Sequence, residues 1–139
     1  MQLKIKKIKS EAVLPTRAHH DDAGIDMYAC GEYVVEPGVS VKIGTGVALH
    51  IEEGNVGLIW DKSGVSSKGI KTLGGVIDAG YRGEVFVTVH NLGNTSYLFE
   101  HGQKVAQLLI QKVEFPELIE VEELEGSVRG ERGFGSTGK

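Results

Sequence analysis

The chain has 139 residues, of which 20 are glycine and three are proline, and its formal net charge is −4. This length suits one domain with a substantial core, and no apolar run approaches the ~20 residues that span a bilayer. The acidic balance makes polymeric nucleic acid a poor partner, because that affinity comes mostly from Lys and Arg at phosphates. A single nucleotide is still possible.

The N-terminus lacks the apolar region of a signal peptide. The single cysteine, Cys30, excludes an internal disulfide and suits a reducing, cytoplasmic location. We expect Cys30 to be a small buried residue rather than a nucleophile.

Apolar residues alternate with period two along most of the chain. The pattern is clearest over residues 84–90, where Val85, Val87 and Val89 fall on one face. Further strands are predicted at residues 33–35, 39–43, 47–51, 56–60, 105–113 and 118–121. Glycine-containing turns separate them, including Gly44-Thr45-Gly46. Many short strands at this spacing predict an all-β sandwich or barrel.

Helical periodicity is weak, and residues 63–68 could form one helical turn. Residues 114–125 contain six Glu with apolar residues at intervals, which indicates a last strand followed by a solvated connector. The apolar pattern ends near Gly126. We therefore expect a β-domain over residues 1–125 and a mobile, glycine-rich C-terminal arm over residues 126–139.

Two polar segments lie in the first half of the chain. Asp26 stands between apolar residues at the start of a strand, where it is either exposed or bonded to neighbouring backbone. Residues 19–22, His-His-Asp-Asp, cannot all converge on one ion, so no His-based metal site is expected. Residues 61–68 contain three hydroxyls and two lysines, a composition that suits an anion nest with Ser63 and Lys62. A polar loop with a one-turn helix explains the same residues.

Two further segments precede the arm. Residues 74–83 form a predicted hairpin that presents Asp78 and Tyr81 close together. A structural Asp that bonds its own turn is the alternative. Gln107 falls inside an apolar strand, where its amide must find partners or incur a desolvation cost.

The arm ends in Gly133-Phe134-Gly135-Ser136-Thr137-Gly138-Lys139, which matches the spacing of a G-x-x-x-x-G-K phosphate loop. No helix follows Lys139 to supply its N-terminal dipole, so a nucleotide P-loop is not expected. The arm could close over a phosphorylated, ring-bearing ligand. A flexible tail is the alternative.

Taken in order, these segments resemble the five motifs of trimeric dUTP diphosphatases, from about residue 15 to the end. The matching residues are 22–29, Ser63-Gly64, Gly75-Val76-Ile77-Asp78 with Tyr81-Arg82-Gly83, Gly102 with Val105-Ala106-Gln107-Leu108, and Arg129-Gly130 with 133–138. The resemblance implies a distorted, jelly-roll-like β-barrel. It also implies a homotrimer with active sites at subunit interfaces, and hydrolysis of dUTP to dUMP and pyrophosphate with Mg²⁺ on the triphosphate.

The resemblance implies a role for each residue of the hairpin. Asp78 would orient and deprotonate the water that attacks the α-phosphorus. Tyr81 would pack beneath the deoxyribose and leave no room for a 2′-hydroxyl. Backbone groups of Gly75, Val76 and Ile77 would read the edge of uracil, in a pocket too tight for the methyl group of thymine.

The phosphates would be held by other motifs. Lys62, Ser63 and Gly64 would lie at the α- and β-phosphates, and Gln107 would hydrogen-bond a phosphate. Asp26 would bind waters of the Mg²⁺ shell, which suits a cation that keeps several waters.

The arm would complete the site. Phe134 would lie over uracil, while Arg129, Ser136 and Thr137, with Gly135 beside them, would hold the γ-phosphate. Arg offers a planar fork for this purpose. Closing the arm would exclude bulk water, as a lid does.

The second motif departs from the family, which usually has Pro-Arg-Ser-Gly where this chain has Asp61-Lys62-Ser63-Gly64. Lys62 keeps the charge but loses the fork of Arg. Asp61 adds negative charge near a triphosphate, which should weaken binding unless its carboxylate is turned away or bonded to another cation.

The nearest alternative shares the fold: a dCTP deaminase, or a bifunctional dCTP deaminase/dUTPase. Those enzymes carry Phe-Glu where this chain has Tyr81-Arg82, and the Glu serves deamination. A non-catalytic nucleotide-binding protein is a second alternative, and pyrophosphate release distinguishes it.

Overall fold

The computed structural model describes residues 1–133. Its strands are β1 (Lys4–Lys7), β2 (Ile25–Tyr28), β3 (Tyr33–Val35), β4 (Ser40–His50), β5 (Asn55–Asp61), β6 (Ile70–Thr72), β7 (Val76–Ile77), β8 (Glu84–Asn91), β9 (Tyr97–Phe99) and β10 (Lys104–Lys112), and its one helix is α1 (Ser63–Ser66). The prediction of an all-β fold is confirmed. Across residues 1–133, none of the helical structure has the length and apolar character needed to cross a bilayer.

The strands form three antiparallel sheets. The first has the order β1-β4-β8-β6, the second β2-β10-β5-β7, and the third pairs β3 with β9. No two neighbours in a sheet are consecutive along the chain, so each connection carries the chain from one sheet to another, as expected for a jelly-roll-like barrel.

The core lies between the sheets and is built by the predicted alternation. Val85, Val87 and Val89 of β8 are fully buried, whereas Phe86 between them is exposed. Phe99, Met27 and Leu108, from three other strands, complete the centre of the core. Cys30 is buried in the same cluster, and burial raises the pKa of its thiol.

One predicted turn is wrong. Gly44-Thr45-Gly46 does not separate two strands but lies inside the continuous strand β4, where a bulge shifts the pairing with β8. Gly46 has φ +67°, and a Cβ there would lie 2.7 Å from Cβ of Ala12 and 2.8 Å from Sγ of Cys30. The glycines therefore serve a bulge and close packing, two uses that cannot be told from a turn in the sequence.

The predicted strand at residues 118–121 is also wrong. No residue of this stretch pairs with any strand of the described chain, and Leu118 is 93% exposed. A sequence with alternating apolar residues forms a strand only where it can pair with the edge of a sheet. The short strands β1, β6 and β9 went unpredicted, since three or four residues carry little periodicity. The domain boundary at residue 125 stays a prediction.

Candidate active site

The hairpin with Asp78 is held by its pairing to β5. Leu58 pairs with Val76 in the register, and the N–H of Ile59 donates to the carbonyl of Gly75 at 2.9 Å. Gly75 has φ +148°, and a Cβ there would lie 3.1 Å from Ile59. A glycine is therefore needed at position 75, where the hairpin begins beside β5. Val76 is 67% exposed beside it.

The turn that follows presents Asp78 and Tyr81 together. The N–H of Tyr81 donates to the main-chain carbonyl of Asp78 at 3.0 Å. The Tyr81 hydroxyl donates to the carbonyl of Glu84 at 3.0 Å, and its ring lies over Gly83, where a Cβ would be 2.4 Å from the hydroxyl. Among residues 1–133 no hydrogen bond engages the exposed Asp78 carboxylate. The turn therefore leaves that carboxylate available, which counts against a purely structural Asp.

These residues line a cavity of about 230 Å³, which we call the hairpin cleft. Its lining residues are Val76, Ile77, Asp78, Tyr81, Glu84 and Phe86. Asp78 also borders a larger depression of about 630 Å³ on its other side. The hairpin cleft is the better nucleoside pocket, because it combines the carboxylate with an aromatic ring, whereas Tyr81 does not reach the larger depression.

A second cavity, of about 370 Å³, surrounds Asp26, and we call it the lysine cleft. Its lining residues are Ala18, Asp22, Ala23, Gly24, Asp26, Lys62 and Gln107. The Asp26 side chain is buried, and each of its oxygens has a lysine partner: Nζ of Lys62 lies 2.7 Å from Oδ1, and Nζ of Lys104 lies 2.7 Å from Oδ2. Burial alone would raise the pKa of Asp26, but the hydrogen bonds from Lys104 and Lys62 outweigh it and lower the pKa.

Gln107 finds its partner in the protein backbone. Its Nε2 donates to the main-chain carbonyl of Asp61 at 2.8 Å. A Cβ on Gly24 would lie 2.1 Å from Oε1 of Gln107, so only glycine fits there. The amide of Gln107 is thus fixed at the wall of the lysine cleft. Its contact with a phosphate stays a prediction.

The segment after β5 is the predicted one-turn helix. Lys62 is extended (φ −96°, ψ 124°), and its carbonyl accepts the N–H groups of Val65 and Ser66 at 2.9 Å each. Val65 is buried and anchors the turn, while Ser63 and Gly64 are exposed. The turn therefore presents these two residues outward, next to Lys62.

Asp61 is bonded away from the lysine cleft. Its Oδ1 accepts the N–H of Thr72 at 2.7 Å, and its Oδ2 pairs with Nζ of Lys71. Burial alone would raise the pKa of Asp61, but the hydrogen bonds from Lys71 and Thr72 lower it below its usual range. The carboxylate is therefore ionised and paired with Lys71. Pairing with another cation is one of the conditions under which Asp61 is not expected to weaken phosphate binding.

The sequence did not single out Lys71, Thr72 or Lys104. The unusual Asp61 indicates a carboxylate that is turned away or bonded to another cation, but the sequence does not identify that cation. Lys104 reaches Asp26 through the β2–β10 pairing, and a sequence does not reveal such a register.

The structure does not bring all predicted site residues together within one chain. The hairpin cleft and the lysine cleft share no lining residue. Arg129 lies in the exposed C-terminal stretch, where its Nε donates to the carbonyl of Arg132 at 2.8 Å, and it lines neither cleft. Phe134, Gly135, Ser136 and Thr137 lie outside the described residues.

The resemblance assigns waters of a Mg²⁺ shell to Asp26. Within residues 1–133, no three His, Cys, Asp or Glu side chains are grouped so as to hold a metal. Asp26 borders the lysine cleft, and two lysines occupy one lone pair on each oxygen. A carboxylate has about four lone-pair sites, so the remainder suits water-mediated contact with a cation carried by a triphosphate.

Comparison with known proteins assigns this barrel to a family. A sequence profile of the dUTPase family matches residues 10–138. The deoxyuridine 5′-triphosphate nucleotidohydrolase of Corynebacterium glutamicum is 43% identical over 141 residues, which cover 99% of this chain and 95% of that protein. A probable deoxyuridine 5′-triphosphate nucleotidohydrolase of Schizosaccharomyces pombe is 39% identical over 139 residues, covering 99% of both chains.

Comparison with solved structures gives the same family. The dUTPase of Staphylococcus bacteriophage 80alpha with dUpNHpp superimposes with a TM-score of 0.94 at 36% identity, over 99% of both chains. A mutant dUTPase from phage phi11, described with a structural Mg(II) ion, has a TM-score of 0.84 at 33% identity, over 91% of this chain and 100% of the other.

The antiparallel barrel, with an Asp–Tyr hairpin at one cleft and a lysine-lined cleft elsewhere, suits a protein that binds phosphorylated nucleosides. This chain belongs to the dUTPase family, which confirms the resemblance found in its motifs.

Proposed function

We propose that this protein hydrolyses dUTP to dUMP and pyrophosphate, with Asp78 as the group that activates water at the α-phosphorus. The observation that carries the proposal is the exposed carboxylate of Asp78 beside Tyr81, left available by a turn that bonds only its backbone. A carboxylate oxygen left free in this way can accept the proton of the water.

The hairpin cleft supplies the nucleoside site in this proposal. Backbone groups of Gly75, Val76 and Ile77 pair with the edge of uracil, and the confined space excludes the methyl group of thymine. Tyr81 packs under the deoxyribose, because its hydroxyl is tied to Glu84 and its ring is held against Gly83. A 2′-hydroxyl would collide with that ring.

The lysine cleft supplies the phosphate site. Lys62, Ser63 and Gly64 bind the α- and β-phosphates, and Gln107 adds a hydrogen bond to a phosphate. Mg²⁺ on the triphosphate would neutralise its charge and polarise the α-phosphoryl group. Asp26 would hold waters of the Mg²⁺ shell, and it keeps Lys62 in place.

The separation of the two clefts within one chain supports a homotrimer whose sites form between subunits. In that assembly the arm brings Arg129, Ser136 and Thr137 to the γ-phosphate, with Gly135 beside them and Phe134 over uracil. We place the protein in the cytoplasm, since its single thiol, Cys30, suits a reducing compartment.

A pyrophosphate-release assay across the four dNTPs, dUTP and UTP, with and without Mg²⁺, tests the function. We expect release from dUTP in Mg²⁺ to exceed release from every other nucleotide. Ammonia released from dCTP would identify the deaminase instead. Binding of dUpNHpp without turnover of dUTP would identify a non-catalytic nucleotide-binding protein.

Asp78→Asn tests the mechanism. The amide cannot accept a proton, so we expect kcat to fall by about 10²–10⁴-fold while dUpNHpp still binds in a calorimeter. Glu53→Gln is the control, because Glu53 is an exposed carboxylate on the adjoining depression. A kcat for Asp78→Asn equal to that of the control would remove Asp78 from this role.

A further inference from the structure

Asp61 brings a negative charge to the start of the segment that we assign to the phosphates. It directly precedes Lys62, whose Nζ lies 2.7 Å from Asp26 in the lysine cleft. Left unpaired, this carboxylate would repel a triphosphate and compete for Lys62. The observed partners of the carboxylate instead lie on β6, away from Lys62.

The bonds of Asp61 connect three strands. Its Oδ1 accepts the N–H of Thr72 at 2.7 Å and its Oδ2 pairs with Lys71, both on β6. Its main-chain carbonyl accepts Nε2 of Gln107, on β10, at 2.8 Å. Asp61 itself ends β5. The residue that begins the phosphate segment is thus held on two sides.

We propose that Asp61 is a positioning residue for phosphate binding, with its charge masked by Lys71, so that Lys62 and Gln107 face the substrate. This inference rests on the proposed function and deepens it, since it assigns roles to Asp61 and Lys71. The Asp61 carboxylate is absent from the side chains that line the lysine cleft, as masking requires. Lys71 is likewise absent, so its charge serves Asp61 rather than the substrate.

Masking and repulsion predict different results when both charges are removed. If Asp61 repelled the triphosphate despite Lys71, the double variant would bind more tightly than wild type. If Lys71 masks Asp61, the double variant binds as wild type does, whereas removing Lys71 alone exposes the carboxylate and weakens binding. One unpaired charge within a Debye length of a triphosphate is enough for a severalfold effect at low salt.

The experiment measures binding of dUpNHpp and of dUMP by calorimetry to four variants of the full chain. They are Asp61→Asn, Lys71→Met, the double variant, and Lys112→Met as the matched control. Asn can still accept the N–H of Thr72, so Asp61→Asn removes the charge and keeps this hydrogen bond. Lys112 is an exposed lysine at the far end of β10, so its removal changes net charge equally.

We expect Lys71→Met to weaken dUpNHpp binding about fivefold and the double variant to recover to within about twofold of wild type. The loss should shrink as salt rises. Binding of dUMP, with one phosphate, should change less than twofold, which a general structural defect would not reproduce. Circular dichroism and gel filtration of each variant check its fold and assembly.

Two results would overturn the inference: Lys71→Met binding as Lys112→Met does, or the double variant binding several times more tightly than wild type. If wild type binds dUpNHpp no better than dUMP, the proposed phosphate site itself fails. That failure shows in the wild type alone, so it is distinct from a failure of the Asp61 assignment.

Discussion

The Tyr81 ring lies against Gly83, so the sugar discrimination proposed for Tyr81 would depend on a residue that need not touch substrate. A Cβ at Gly83 would lie 2.4 Å from the Tyr81 hydroxyl and 2.6 Å from Cζ. The ring would have to move, because both distances are shorter than any ordinary Cβ contact. We therefore expect Gly83→Ala to lower the preference for dUTP over UTP by about tenfold.

The measurement is the ratio of kcat/KM for dUTP to kcat/KM for UTP. Gly80→Ala is the control in the same hairpin, since a Cβ there meets nothing within 4 Å. Tyr81→Ala should lower the ratio at least as far. An unchanged ratio in Gly83→Ala would mean that the ring does not set the preference.

The residue types in the hairpin predict part of the candidate site. Asp78 and Tyr81 follow a glycine-rich apolar run, and a hairpin that brings them together is a local structure, so the sequence predicts it. The partners of Asp26 and Asp61 are set by strand register and by β6, a three-residue strand with no usable periodicity. Lys104 and Lys71 therefore emerge only from the structure.

The bulge in β4 shows how one strand can look like two. Gly46 combines φ +67° with contacts that a Cβ would make at 2.7 Å to Ala12 and 2.8 Å to Cys30. Its N–H donates to Oε1 of Glu84 at 2.8 Å, which ties the bulge to β8. Glycine is required here for both backbone and packing.

We expect Gly46→Ala to lower the free energy of unfolding by about 2–5 kcal/mol, the sum of a strained backbone and an overpacked contact. Gly38→Ala separates the two causes, since Gly38 has φ +73° with open space around it. That control should lose only about 1 kcal/mol. Urea unfolding of both variants provides the comparison, and equal losses would show that packing at the bulge contributes nothing.

Within one chain, the predicted site residues lie in separate places. Asp78 and Tyr81 lie on the hairpin cleft, and Asp26, Lys62 and Gln107 lie on the lysine cleft. Motif order along the chain predicts which residues take part, but not which subunit supplies each one. The exposed apolar residues of the stretch at 114–128, among them Phe115 and Leu118, likewise have no cover within the described chain.

A trimer that shares its sites should therefore show complementation between inactive chains. In the proposed mechanism, Asp78→Asn lacks the group that activates water, and a chain truncated after Arg132 lacks Phe134, Ser136 and Thr137, so we expect each alone to hydrolyse dUTP poorly. Refolded together in equal amounts, they should regain about a quarter of wild-type activity per chain. That fraction follows because half the chains supply Asp78, half supply the arm, and subunits assort at random.

Separately refolded and then mixed samples are the control for this prediction, with native mass spectrometry to identify the mixed trimers. Activity that does not exceed the sum of the two variants, although mixed trimers form, would show that Asp78 and the arm of one chain serve the same site. The connector at residues 114–128 would then have to fold back onto its own hairpin. Recovery near one quarter would instead mean that the connector crosses to a neighbouring subunit, and so its exposed apolar residues would have a surface to cover.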